Sequence, residues 1–169
     1  MNNERGVQRG KDFEKIIRQA FLDVPDTVAI RLPDPTNGYL GIRNISDFMI
    51  YHYPNQYFIE CKSVHSNRFP MLNVTFNQRV GMLEASKANG VIAGLIIWFV
   101  PLDKTIFVPI QVFEQYRLAG EKSINMNHDW DDRFIEIKGR KKRVFFDYDM
   151  KSFIEECQRR KLGEKSYEK

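Results

Sequence analysis

Two neighbouring stretches of the sequence place charged side chains where they could meet. Asp47 opens one apolar stretch, and Glu60 and Lys62 lie in the next one. Both stretches are rich in aromatic and β-branched residues and turn formers separate them, which predicts a β-hairpin. Side chains alternate between the faces of a strand, so Glu60 and Lys62 share one face. An antiparallel return would bring Asp47 close to Glu60.

Charges on an otherwise apolar strand are costly to bury unless they are paired or bind a metal ion. Two carboxylates that converge beside a lysine offer hard oxygen ligands to a divalent cation, with a positive charge next to it. The hairpin therefore predicts a divalent-cation site with a lysine alongside.

This constellation resembles the PD-(D/E)xK nuclease superfamily, whose motif would consist here of Asp47 and Glu60-Cys61-Lys62. Ser46 stands where the superfamily name has proline. The resemblance implies an α/β fold with a restriction-endonuclease-like core, in which helices flank a mixed central β-sheet. It also implies one nuclease domain over residues 1–169, with a flexible N-terminal arm and a C-terminal helical tail.

Within that superfamily, the chain is similar to RecU-type Holliday junction resolvases and related archaeal resolvases over roughly residues 9–115. The opening segment Arg9-Gly10-Lys11-x-Phe13-Glu14 resembles their first helix, which carries an active-site Glu. Gln78 lies at the start of a later helix, as in their layout, and a very apolar strand follows. This chain departs from the RecU type in being compact before Asp47, where those proteins have a longer segment and a stalk.

The resemblance implies roles for these residues. Asp47, Glu60 and the backbone carbonyl of Cys61 would hold Mg²⁺, which Mn²⁺ could replace. Lys62 would orient or deprotonate water, or stabilise negative charge, and Gln78 would position phosphate or water. Glu14 would be a further ligand. From the residues alone, Glu14 could equally pair with Arg18 on the helix surface, and Gln78 could simply bond within its own helix start.

The resemblance also implies a substrate and an assembly. DNA would be cut to a 5′ phosphate and a 3′ hydroxyl, and a homodimer would match the two strands cut in a four-way junction. The alternatives are a restriction-type or repair endonuclease acting on duplex DNA and a non-catalytic DNA-binding protein on the same fold. An RNA-directed nuclease also stays open, although the sequence has no stacking-aromatic RNA motif.

Apolar periodicity and turn signals predict the elements that position these residues. The predicted helices cover residues 11–22, 77–89, 110–118 and 149–161, and residues 1–9 are predicted to be a flexible basic arm. The predicted strands outside the hairpin cover residues 27–32, 91–100 and 105–109, and a second hairpin is predicted to join 134–137 to 144–148.

Basic side chains around the hairpin are candidates for contacts with the DNA backbone. Taken singly, Arg43 is better explained as part of a plain surface loop, and a charged hairpin tip is usually just solvated. The densest basic run, residues 138–143, is predicted to form the tip of the second hairpin. The candidates are Arg9, Lys11, Arg43, Arg68, Arg79, Lys138, Arg140, Lys141, Lys142 and Arg143.

Composition sets broad limits. The 169 residues suit a single domain, and 43% hydrophobic residues suffice for a core. A net charge of +4 favours a polyanionic partner. Two cysteines and a polar N-terminus predict a cytoplasmic protein without a disulfide framework or membrane contact. The absence of P-loop and zinc-finger patterns disfavours motor and zinc chemistry. A second metal site around His128 and Asp129 is conceivable, but a solvated loop is favoured there.

Overall fold

The computed structural model describes residues 2–32, 44–127 and 130–164, with side chains from residue 8 onward. Its α-helices are α1 (Asn2–Leu22), α2 (Phe76–Ala85), α3 (Ile110–Leu118) and α4 (Met150–Arg159). Its strands are β1 (Thr27–Arg31), β2 (Phe48–His52), β3 (Asn55–Val64), β4 (Arg68–Pro70), β5 (Val91–Phe99), β6 (Lys104–Pro109), β7 (Ser123–Asn125), β8 (Ile135–Glu136), β9 (Gly139–Lys141) and β10 (Phe146–Tyr148).

A six-stranded mixed sheet forms the centre of the fold, in the order β1-β2-β3-β5-β6-β8. β3 and β5 run parallel, and every other pair in this sheet is antiparallel. β5 is the long apolar strand that the sequence predicts, and it is buried because strands and helices cover it on every side. The chain thus has the α/β class and the mixed central sheet flanked by helices expected from its sequence.

Helices cover both faces of the sheet and create two hydrophobic clusters. On one face, α1 and α4 contribute Phe13 and Phe153, which pack with Tyr57, Ile59 and other residues of the sheet. The cluster on the other face includes residues of α2, α3 and β5. The side chains of β3 divide between these faces as the predicted alternation requires, because successive residues of a strand point in opposite directions.

The first helix begins at Asn2, so the prediction that residues 1–9 form a flexible arm is wrong for residues 2–9. Gly6 and Gly10 do not interrupt the helix, because each glycine in a helix costs only about 1 kcal/mol, which the other helix-forming residues can outweigh. The second helix also differs from its prediction, because α2 ends at Ala85 and not at residue 89. The hydroxyl of Ser86 donates to the Leu83 carbonyl at 2.8 Å, and such bonds compete with helix continuation.

The second hairpin exists with a different first strand from the one predicted. Ile135 and Ile137 are buried in the cluster under α1 and α4 and Phe134 in the cluster on the other face. β8 pairs with β6 at the edge of the large sheet. The basic residues of β9 themselves pair with β10. The basic run is therefore partly a strand, and only its end forms the tip.

No helix within the described ranges combines the length and the apolar character that crossing a membrane requires.

Candidate active site

The register of the first hairpin brings the two predicted carboxylates together. Phe48 pairs with Ile59, so the preceding residue, Asp47, lies opposite Glu60 at the end of the ladder. The backbone N–H of Cys61 donates to Asp47 Oδ2 at 2.8 Å and fixes the orientation of this carboxylate. The predicted hairpin is confirmed: its two strands pair, their side chains divide between the two faces as expected, and Asp47 lies close to Glu60.

Glu60 is the best-connected side chain of the site. It is 2% exposed. Its Oε1 lies 2.6 Å from Lys62 Nζ and accepts a hydrogen bond of 2.6 Å from Gln78 Nε2. Glu60 Oε2 is buried and has no hydrogen-bond partner among the described residues. A buried carboxylate oxygen without a donor is costly and is suited to receive a cation.

The start of α2 holds Gln78 in place. The Gln78 N–H donates to the hydroxyl of Thr75 at 3.3 Å, and Gln78 Oε1 accepts from the Thr75 N–H at 3.0 Å. These reciprocal bonds form a capping box at the helix N-terminus. Because its Oε1 is engaged with the cap, Gln78 presents its amide nitrogen to Glu60. The two roles considered for Gln78, local capping and contact with the site, are combined in one side chain.

Glu14 of α1 lies on the side of the helix that faces β1 and β2. Its carboxylate accepts a 3.2 Å hydrogen bond from Arg31. Burial is the main cause that raises the pKa of Asp47 and that of Glu60, and the negative charge of Glu14 adds to it. The surface pair with Arg18 considered from the sequence is replaced by the pair with Arg31, and Glu14 contributes to the electrostatics of the acidic pair.

The carboxylates of the site are difficult to ionise together. Burial, followed by repulsion from Glu60, raises the pKa of Asp47 from 3.8 to about 7, against a lowering by the Cys61 N–H. Burial also raises the pKa of Glu60, while Lys62 lowers it. The Cys61 thiol belongs to the hydrophobic cluster under α1, and burial raises its pKa well above the ordinary value. Only the backbone of Cys61 therefore suits a metal ion.

These features fit a divalent cation. Two converging carboxylates with raised pKa values and an unsatisfied buried oxygen would both be stabilised by added positive charge. Within the described residues, no three His, Cys, Asp or Glu side chains form a ready-made metal cluster. Asp47 and Glu60 would thus share the ion with backbone, phosphate and water oxygens.

The basic residues proposed to contact DNA differ in their exposure and in their hydrogen-bond partners. Arg68 is exposed on β4 and Lys11 is exposed on α1. The Arg9 guanidinium donates to a ring nitrogen of His65 at 3.0 Å, next to the end of β3. Arg79 is held by Glu114 of α3 in two 3.0 Å hydrogen bonds, so it joins two helices. Arg43 lies outside the described residues.

All residues of the basic run 138–143 are exposed, and three of them pair with carboxylates. Lys141 pairs with Asp103. Arg140 and Lys142 both lie 3.4 Å from Asp147. Exposed pairs of this kind are weak, so these cations can exchange their partner for a phosphate.

Three residues of the site were not anticipated from the sequence. Thr75 positions Gln78, and the spacing Thr75-x-x-Gln78 is a capping-box signal that could have been found. Arg31 and Glu114 are remote in sequence from Glu14 and Arg79, and only the tertiary fold pairs them. Such pairs between distant elements leave no local pattern.

No family model matches the sequence, and no curated protein matches it. Among solved structures, the chain is similar to Hjc, a Holliday junction resolvase from the archaeal hyperthermophile Archaeoglobus fulgidus. The TM-score is 0.46 at 16% sequence identity, and the match covers 60% of this chain and 78% of the resolvase chain.

Proposed function

We propose that this chain is a metal-dependent endonuclease that hydrolyses phosphodiester bonds in DNA. The observation that carries the proposal is the meeting of Asp47 and Glu60 across the hairpin, with Lys62 bound to the same Glu60 oxygen as Gln78. Ordinary buried ion pairs satisfy their oxygens, whereas this one leaves Glu60 Oε2 without a donor among the described residues.

Asp47, Glu60 and the Cys61 backbone carbonyl would hold Mg²⁺, or Mn²⁺ in its place, and Glu14 would support it from the side of α1. The bound ion supplies Lewis acidity, polarising the scissile phosphate and lowering the pKa of an attacking water. The chain's own part is to fix these oxygens: the Cys61 N–H orients Asp47, and the capped Gln78 orients Glu60.

Lys62 supplies the positive charge of the site. Its side chain is 25% exposed, so it lies at the opening, where it can reach Glu60 and a bound phosphate. There its ammonium group would stabilise the charge that develops on the phosphate oxygens, or orient the attacking water through hydrogen bonds. Gln78, whose side-chain Nε2 is already directed into the site, would hold the phosphate or the water.

A branched DNA substrate and a homodimer are the finer parts of the proposal, and both come from the sequence resemblance to the resolvases. Two active sites related by a two-fold axis could cut two opposing strands of a four-way junction symmetrically. A duplex endonuclease would use the same site with another DNA-gripping surface.

The experiment is a cleavage assay on a synthetic four-way junction and its matched linear duplex in Mg²⁺. Asp47→Asn and Glu60→Gln test the site, and Lys87→Ala, at an exposed lysine in the turn that follows α2, is the control for a substitution outside the site. We expect paired symmetric nicks in the junction alone, absent in both site variants and present in the control. Cutting of both substrates would reject junction selectivity and retain the nuclease. Binding without Mg²⁺-dependent cutting would reject the enzyme in favour of a binding protein, and full activity of either site variant would reject this site.

A further inference from the structure

A small basic cavity lies beside the acidic pair, between α1 and β1. It has a volume of about 300 Å³ and is lined by Lys11, Glu14, Lys15, Arg18, Arg31 and Phe48. Phe48 directly follows Asp47 in the chain, so the cavity and the acidic pair are neighbours on the same hairpin. Among the charged residues of this cavity, only Lys11 and Glu14 were candidates for a functional role from the sequence.

The charges of the cavity favour an anion. Four cations and one carboxylate line it, which gives a formal charge of +3. Lys11 and Lys15 are one helical turn apart, and like charges at that spacing repel each other. Such a concentration of cations is unfavourable by itself and is relieved when an anion binds.

Two of the cations are already oriented by the fold. Arg18 Nε donates to the carbonyl of Ala29 at 3.2 Å, which ties its guanidinium to β1. Arg31 donates to Glu14 at 3.2 Å from the other side of the cavity. The Arg18 guanidinium has N–H donors besides Nε, in a planar arrangement that matches the oxygens of a phosphate, and Arg31 adds its positive charge to the cavity. The two exposed lysines, Lys11 and Lys15, would complete the contacts.

We propose that this cavity binds a backbone phosphate of the nucleic acid strand, next to the phosphate that is cut. This inference rests on the proposed function for its ligand. A carboxylate pair repels a polyanion, so a separate cationic contact must hold the strand in place before the site can act. Lys11, Lys15, Arg18 and Arg31 form that contact, and Glu14 orients Arg31 while facing the acidic pair.

The test compares Lys11→Ala/Lys15→Ala with the control Lys87→Ala/Lys151→Ala. The control removes the same charge from exposed lysines that pair with glutamates outside the cavity. Binding of a fluorescent four-way junction is measured by anisotropy over a range of KCl concentrations, in EDTA so that nothing is cut. We expect the cavity variant to bind roughly tenfold more weakly, with a salt slope shallower by about 1, and the control to differ from the wild-type protein in neither respect.

An affinity and a slope equal to those of the control would overturn the inference, as would failure of the wild-type protein to bind DNA. A second arm tests free phosphate as the ligand. If inorganic phosphate at constant ionic strength stabilises the wild-type protein against heat but the DNA salt slope is unaltered in the cavity variant, the cavity is a phosphate-ion site and the inference is wrong. If the cavity variant binds DNA with the shallower salt slope but the wild-type protein does not cut DNA, the cavity is supported and the nuclease is rejected. The two proposals therefore fail separately.

Discussion

Asp47 is the residue through which pH acts most directly on the site. Burial and the neighbouring Glu60 raise its pKa to about 7, so the folded protein retains a proton there that the unfolded chain releases near pH 4. The folded state binds more protons between these values. The contribution of this group to stability is therefore full below about pH 4 and is lost as the pH rises through about 7.

Asp47→Asn should accordingly stabilise the metal-free protein at high pH. The amide keeps the shape and the acceptor for the Cys61 N–H but never carries the buried charge. We expect the variant to exceed the wild-type protein in free energy of unfolding at pH 8 by up to about 4 kcal/mol, and by less at pH 5. Urea denaturation in EDTA at both pH values measures this, and a difference independent of pH would contradict it.

Binding of Mg²⁺ should depend on the same proton. A carboxylate must lose its proton to coordinate an ion, so we expect the affinity for Mg²⁺ to rise with pH up to about 7 and then to level off. Near pH 6, binding should release a proton. Titration calorimetry in two buffers of different ionisation enthalpy detects that release, and Asp47→Asn, in which it should be absent, is the control. An affinity unchanged between pH 6 and pH 8 would argue against Asp47 as a ligand.

At the scale of elements, α2 positions the site through its first turn. Thr75 caps the helix and fixes Gln78, which binds Glu60. We expect Thr75→Ala to cost about 1 kcal/mol of stability and to lower the cleavage rate, because the Gln78 backbone N–H loses its acceptor and the helix turn that carries Gln78 is held less firmly beside Glu60. Thr75→Ser keeps the hydroxyl and should preserve both. Urea denaturation and single-turnover cleavage measure the two effects, and equal rates for the two variants would separate the cap from catalysis.

α2 also holds the segment that precedes Asp47. A Cβ on Gly81 would lie 2.1 Å from Ile45 Cγ2 and 2.8 Å from its Cβ, so the helix approaches this segment as closely as glycine allows. We expect Gly81→Ala to destabilise the protein by about 1–3 kcal/mol and to displace Asp47. Gly10→Ala, in open space on α1, is the matched control and should stabilise the protein by about 0.5–1 kcal/mol. A Gly81→Ala variant as stable and active as the control would show that Ile45 moves aside at no cost.

The sequence predicted elements best where a local pattern decides the structure. Alternation and turn residues identified the hairpin of Asp47 and Glu60, and a continuous apolar run identified β5. The first strand of the second hairpin was mispredicted because tertiary packing decides it. Ile135 joins the edge of the large sheet, which no local signal announces. The same limit explains Arg79, whose partner Glu114 lies on another helix.

At the scale of the whole molecule, two groups of cations lie in the layer of α1. The hairpin of β9 and β10 packs against α1, where Tyr148 meets Phe13 with ring centroids 6.1 Å apart. Its tip residues Lys142 and Arg143 line a cavity with Ile16 of α1. α1 also carries the lysines beside the acidic pair, so a DNA strand crossing this layer could contact both groups of cations.

This arrangement separates binding from chemistry. Lys142→Ala/Arg143→Ala removes cations at the hairpin tip, outside the pair of Asp47 and Glu60. We therefore expect a lower affinity for DNA and a salt slope shallower by about 1–2. The cleavage rate at saturating enzyme should stay unchanged.

Lys62→Ala should do the opposite, lowering the saturated rate by about 10²–10⁴ with little change in affinity, because an interaction made only in the transition state affects the rate alone. Single-turnover cleavage over a range of enzyme concentrations measures both quantities. A tip variant that slows the saturated reaction as Lys62→Ala does would place the basic run inside the active site and contradict this separation.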